Sequence, residues 1–315
     1  MAIDGATVGD VLDDAVSRFG DRFAAGLRTA QIWVNGEPAD RSSAIATSDE
    51  IAVIPPVSGG AVATRSAADT VAAVLIMALV ATLVVGNLVE STANEAFAVA
   101  VVGVTVAWLW DIRDAYRARG GYVRIIPAML AAAAAANGAY RWGTSGLAGG
   151  LAVGIGILLV WAVLDTQQRS IDAVAISALA GVTAGLGAGA LVLVRLRNPA
   201  EAGVFLAVAG AAAGAAWLAQ RSQAPTGGVD PNLAGLMAGI AAAALGGYLA
   251  DTIDVLNAVI AGALAGGGFI AGRTIGAAVR LGDILHTVRG PGLLTAFDGP
   301  VTAAAVFWVA LLLVT

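Results

Sequence analysis

Two groups of residues have the types and spacing to do chemistry. The first lies in the stretch DEIAVIPPVSGG, Asp49 to Gly60, where an acidic pair, an apolar run and a proline pair lead to Gly59-Gly60. A tail without side chains can thread a narrow channel, and glycine lets a backbone approach a bound group closely. Gly60 is bonded to Ala61, however, so its carbonyl is an amide. An acyl reaction at that carbon needs a protease to cut first; uncut, the glycine pair is a flexible link. The second group lies in RLGDILHTVRGPGLLTAFDGPVTAAAVFW, residues 280–308. It holds the sole histidine, His286, between Asp283 and Arg289, with Gly290-Pro291-Gly292 and Asp298 following. Carboxylates of this kind hold a metal such as Mg2+, and arginine and backbone amides meet phosphate, which makes the set a candidate nucleotide or headgroup site. The same residues also read as an ordinary solvated loop between the last two helices.

Composition restricts the chemistry further. The chain has no cysteine, which excludes disulfides, cysteine nucleophiles and zinc–thiolate sites. It has no lysine either, so all 17 basic residues are arginine and no side-chain amine is available for a Schiff base or for conjugation.

The elements that must position these residues fall into two parts. Residues 1–60 carry nine Asp or Glu against four Arg, whereas residues 61–315 carry thirteen of each, so the whole net charge of −5 belongs to the first part. With 58% hydrophobic and 12% charged residues, the chain as a whole is far more apolar than a soluble domain. Within the first part, Thr7 and Asp10 have the spacing of a capping box, and Val8, Val11, Leu12, Ala15, Val16 and Phe19 recur at helical spacing up to Gly20, which predicts a helix over 8–19. QIWV at 31–34 running into Asn35-Gly36, and EIAVI at 50–54 stopped by Pro55-Pro56, predict two strands.

From about residue 70 the apolar stretches predict nine spans: 70–89, 96–110, 123–139, 145–164, 173–194, 202–219, 233–250, 255–272 and 297–314. Small residues crowd them, as in AAAAAANGA and GVTAGLGAGA, which favours close helix packing. Trp108, Trp110, Trp142, Trp161 and Trp217 fall near predicted ends, as interfacial anchors would. With the N-terminus cytoplasmic, ten arginines fall on the inner side and three, Arg141, Arg195 and Arg197, on the outer, the arrangement that positive-inside bias favours. The Arg195/Arg197 pair runs locally against it. No predicted span centres on an ionisable residue, which argues against a proton relay or charged ion pathway.

On the residues ATVGDVL, VNGE and SDEIAVIPPVSGG, the first 60 positions resemble the MoaD/ThiS family of ubiquitin-like sulfur carriers. The resemblance implies a β-grasp fold and a role for Gly59 and Gly60 as the carrier terminus. In that family the terminal glycine carboxylate is adenylated by an E1-like enzyme and converted to a thiocarboxylate. The family begins with a strand upstream of AIDGATVGD that is missing here, so the expected start lies upstream of Met1.

The C-terminal hundred residues resemble phosphatidate cytidylyltransferases (CDP-diacylglycerol synthases), through GFIAGRTIGAAVRLGD at 268–283, the GPG at 290–292 and DGPVTAAAVFW after them. Phe269 stands at that family's first Asp, Gly276-Ala277 at its Lys-Arg pair, Gly282 at a Lys and Pro291 at its His. Upstream, GAAWLAQR (214–221) and DPNLAG (230–235) lack the family's Asp and lysines. Nucleotidyl transfer needs paired carboxylates on metal and cations on phosphate. The resemblance therefore implies a degenerate relative that keeps the fold without transferase activity.

The combined expectation is an α/β ubiquitin-like domain over 1–60, a linker over 61–69 and an all-α polytopic membrane domain over 70–315 with about nine transmembrane helices. The implied function is a membrane-tethered sulfur carrier or protein modifier exposed by cleavage after Gly60, in the inner (plasma) membrane with its first domain cytoplasmic. Its partners would be membrane lipids, an E1-like adenylating enzyme and a protease, with no nucleic acid. The alternative is a pseudoenzyme that binds a lipid or nucleotide headgroup through Asp283, His286, Arg289 and Asp298, with Mg2+ where phosphate binding remains and the first domain as a docking module.

Overall fold

The computed structural model describes residues 7–20, 30–46, 48–54, 94–118, 121–165, 170–221, 229–251, 253–281 and 294–314, with Leu27, Val84 and Asn87. The chain divides into two compact units, Met1–Ser66 and Ala67–Thr315.

In the first unit, helix α1 (Val8–Phe19) starts at the expected capping box: the Thr7 hydroxyl accepts from the Asp10 backbone N–H, and the Asp10 carboxylate accepts from that of Thr7. Such reciprocal caps satisfy two of the donors that a helix start leaves over. The helix ends at Gly20, whose φ of 75° suits glycine. Its buried face is Val8, Val11, Leu12 and Ala15. The backbone N–H groups of Val8 and Gly9 donate to the carbonyls of Ser43 and Arg41, fixing the helix start on the 41–44 segment.

Strands β1 (Gln31–Val34), β2 (Glu37–Pro38) and β3 (Ile51–Ile54) form an antiparallel sheet in the order β2-β1-β3. Asn35 and Gly36 both take positive φ, 51° and 84°, the tight-turn geometry that their dipeptide signals. The register pairs Gln31 with Ile54 and Val34 with Ile51, so β3 leaves the sheet alongside the start of β1 and leads directly towards Pro55. The predicted strands are present, the second shortened by one residue.

The second unit is helical: α2 (Asn94–Ala118), α3 (Ile125–Leu164), α4 (Ile171–Arg197), α5 (Pro199–Arg221), α6 (Pro231–Ala250), α7 (Val255–Leu281), a 3-10 turn (Thr295–Phe297) and α8 (Asp298–Val314). Among the described residues, seven helices are long and apolar enough to cross a membrane, against nine expected spans. Of the span predicted at 70–89, only Val84 and Asn87 are among the described residues. Those predicted at 123–139 and 145–164 run through one element, α3.

That element is broken in the middle. Trp142 and Gly143 leave helical geometry, with Gly143 at φ 64°, and the two halves fold back on each other. A Cβ placed on Gly138 would lie 2.1 Å from the Gly146 carbonyl oxygen, which no side chain tolerates. Farther from the bend, Gly150 meets Ala134 and Gly154 meets Ala131 in the same antiparallel register. The alanine run therefore serves backbone contact: Ala131, Ala132, Ala135, Ala136 and Ala139 are all buried. The glycine-rich run of α4 packs on this hairpin through Gly181, Gly185 and Gly189, while Gly187 lies against Val301 of α8. Phe97, Phe205, Phe269 and Phe307 supply the large side chains of a core otherwise built mostly from alanine and valine.

Candidate functional site

The acidic pair before β3 has a structural role that the geometry makes plain. The Asn35 side-chain amide donates to Asp49 Oδ1 at 2.9 Å, its carbonyl accepts from the Glu50 N–H at 2.9 Å, and Asp49 Oδ2 accepts from the Ala46 N–H at 2.7 Å. The β1–β2 turn is thus fastened to the segment that delivers β3 and, beyond it, the glycine tail. The Ala46 N–H, followed by the Asn35 amide, lowers the pKa of the half-buried Asp49 below its ordinary carboxylate value.

A depressed carboxylate contributes stability that is present above its unfolded value and disappears as pH falls through its folded one. Protection of the 31–54 amides against hydrogen exchange in the full-length chain should therefore weaken in acid below about pH 4. Asp49→Asn should weaken that protection at neutral pH and flatten its acid dependence. An unchanged acid limb in the variant would remove Asp49 from this role. Gly59 and Gly60 themselves lie outside the described residues.

In the membrane unit the structure gathers charged residues that the sequence does not place together. Arg280, in the last turn of α7, is fully buried, and Asp298, which opens α8, is 4% exposed. Arg280 Nε donates to Asp298 Oδ2 at 3.0 Å and Nη2 to Oδ1 at 2.9 Å, a two-pronged pairing that suits the planar guanidinium. Its Nη1 donates to Asp111 Oδ2 of α2 at 2.7 Å, and that oxygen also accepts from the Leu294 N–H at 3.1 Å. Trp108, one turn before Asp111, donates its indole N–H to Asp298 Oδ1 at 2.8 Å.

Room for this cluster comes from Gly276. A Cβ there would lie 2.2 Å from Asp298 Oδ2. Gly276 is thus the residue that admits the Asp298 carboxylate. Both Asp298 oxygens are occupied by donors, so the carboxylate acts here as an ion-paired anchor joining α2, α7 and α8. Trp108, expected as an interfacial anchor, is 3% exposed and belongs to this anchor instead, whereas Trp110 and Trp142 are exposed. Asp283, His286 and Arg289 lie outside the described residues. Among the described residues, no three His, Cys, Asp or Glu side chains come together as a metal site.

Two further arginines are drawn inward. Arg195, 2% exposed, donates to the Asn87 carbonyl and side chain and to Asn94 Oδ1, and lies over the Phe97 ring. Arg197 pairs with Glu201 at 3.3 Å. Arg195, which runs against the arginine asymmetry, is thus held inside the protein, whereas Arg197 stays exposed. Arg124, at the start of the α3 hairpin, pairs with Asp165 at its end at 3.4 Å, and its backbone N–H donates to Ser177 of α4. An arginine beside an apolar run signals such pairing only weakly, because the carboxylates that Arg280 meets lie 18 and 169 residues away.

Residues 2–60 match the ThiS family, a stretch that ends at the second glycine of the tail. No curated protein and no solved structure matches the chain. Nothing in these comparisons supports the cytidylyltransferase resemblance of the C-terminal helices. The capped helix, the antiparallel sheet and the tail that follows β3 thus make the N-terminal part, residues 2–60, a ThiS-family domain of ubiquitin-like fold, joined to a region with seven membrane-capable helices.

Proposed function

We propose that the chain is a membrane-tethered ThiS-type sulfur carrier or protein modifier whose Gly60 is exposed by proteolysis. The observation that carries this reading is the ThiS match itself, which runs through residue 60 and stops where the Gly-Gly pair ends. Hydrolysis of the Gly60–Ala61 amide would give Gly60 a carboxylate and Ala61 an amine. An E1-like enzyme would join that carboxylate to AMP from ATP, releasing pyrophosphate. A sulfide-level sulfur nucleophile would then attack the acyl carbon, displace AMP and leave the thiocarboxylate. Before cleavage, the helical region holds the carrier at the membrane surface.

Intact-mass analysis of N-terminally tagged protein recovered from cells tests the reading. A fragment ending at Gly60, as the acid or with sulfur in place of one oxygen, supports it. Full-length protein alone, with an active E1-like enzyme and sulfur source present, overturns it and makes the domain a docking module with Gly59-Gly60 as its hinge.

The carrier must face ATP, so we place the first domain in the cytoplasm and the helices in the inner (plasma) membrane. Burial of Arg195 supports this orientation, since one of the three arginines assigned outside is hydrogen-bonded within the fold rather than displayed at a surface. Reporter fusions after Gly60 and at Thr315 should give cytoplasmic and external signals respectively. Both signals on one side would mean an even number of crossings and would remove the nine-span topology.

A further inference from the structure

The membrane unit contains an apolar cavity of about 240 Å³ among α2, α4, α5 and α8, lined by Val101, Leu191, Phe205, Ala209, Gly210 and Ala304 among others. Thr105 is the one hydroxyl-bearing residue among the described lining residues, and it donates to the Val101 carbonyl of its own helix at 2.8 Å. Phe297 and Pro300 bring the cavity wall close to Asp298 in sequence, but that carboxylate is committed to Arg280 and Trp108. Among the described lining residues, no other side chain can hydrogen-bond within the cavity. Water needs two to four polar partners to occupy an enclosed site, whereas a dry apolar cavity of about 150 Å³ takes a benzene ring.

The cavity is also reachable. Gly210, in its wall, is exposed and lies within the membrane-capable stretch Pro199–Gln220, and Val84 at the rim is 39% exposed. A Cβ added at Gly210 meets no atom within 4 Å. The opening thus faces the depth at which a bilayer presents hydrocarbon, and an empty cavity there would forfeit dispersion contacts that a hydrocarbon chain restores.

We propose that this cavity holds one fatty-acyl chain of a bilayer phospholipid. The assignment is independent of the carrier reading, because it concerns the helical unit alone. It gives the helices a ligand as well as a tethering role.

The test uses the full-length chain in phosphatidylcholine nanodiscs doped with a phosphatidylcholine that carries a photoreactive diazirine in mid-chain. Illumination and peptide mapping should place adducts on the cavity-lining residues of α5 and α8, around Phe205–Ala213 and Val301–Ala304. Gly210→Phe fills the open space, and Gly214→Phe is its control. Gly214 sits one turn farther along the same helix, is equally open, and does not line the cavity. Gly210→Phe should cut the cavity adducts by about fivefold or more and Gly214→Phe by less than about twofold, since overfilling acts where the volume is used.

Equal effects of the two substitutions would overturn the proposal. So would adducts confined to outward-facing residues such as Leu159, Val163 and Leu164, which are 53–72% exposed. Should Gly210→Phe fail to fold, the adduct map of the unsubstituted chain decides alone.

Discussion

Replacing Arg280 with leucine should destabilise the membrane unit by about 3–5 kcal/mol, the range for removing one partner of a buried ion pair. Arg280 is fully buried and answers two carboxylates at once, Asp298 and Asp111, at 2.9 and 2.7 Å. Without it, Asp298 keeps only the Trp108 N–H among the donors described, and its charge stays in a site that excludes water. The cost comes from that stranded charge more than from the worth of the pair. Adding Asp298→Asn to Arg280→Leu should therefore recover part of the loss, and Arg280→Lys should be intermediate, because an ammonium cannot form the two-pronged contact. Asp111→Asn should cost less than Arg280→Leu, since the Asp111 side chain is 13% exposed.

Thermal unfolding in detergent, read by circular dichroism at one scan rate, orders these variants even where unfolding is irreversible. A double variant no more stable than Arg280→Leu would show that Asp298 is not stranded. The anchor would then be ordinary packing.

Much of the first unit is legible because its signals are local. Thr7 and Asp10 lie three residues apart, Asn35-Gly36 is a turn in itself, and the face formed by Val8, Val11, Leu12 and Ala15 follows one helical period. The interaction of Asn35 with Asp49 and Glu50 is not legible in that way, since only the fold brings residues 14 and 15 positions apart into contact.

The membrane unit shows the same division more sharply. Hydropathy locates apolar stretches, but it cannot tell one long helix from a hairpin. The α3 bend rests on the backbone of Trp142 and Gly143, in a run of small residues where glycine is common throughout. Nor does hydropathy distinguish a buried arginine from one that marks membrane orientation. Arg280 and Arg195 count as surface charges in the sequence, yet each is fixed by partners on other helices. Gly276 is the clearest case. Against a family pattern it reads as a lost cation, and in the fold it is the opening through which Asp298 reaches Arg280.

Gly60→Pro should abolish the N-terminal fragment altogether if the ThiS domain is a processed carrier. The reasoning is stereochemical. A protease that cuts after Gly60 must hold the tail extended and bring the Gly60 carbonyl to its nucleophile, and neither adjoining glycine has a side chain to obstruct that approach. Proline fixes φ near −65°, removes the N–H that an extended substrate donates, and adds bulk at the residue to be cleaved. It also constrains Gly59 before it to extended geometry, so the effect is confined to these two positions. The β3 strand ends at Ile54, before the tail, and the Asn35–Asp49 fastening lies on its far side, so the domain should stay folded.

That separation makes the result readable. Hydrogen exchange over residues 31–54 should match the parent, while the fragment on an N-terminal immunoblot disappears. Ala61→Pro gives a second approach to the same bond from its other side, and it leaves both glycines in place. Loss of the fragment in both variants, with unchanged exchange, identifies the Gly60–Ala61 amide as the processed bond. A fragment of the parent's mass persisting in Gly60→Pro would place the cut upstream of residue 60 and leave the Gly-Gly pair without a carrier role.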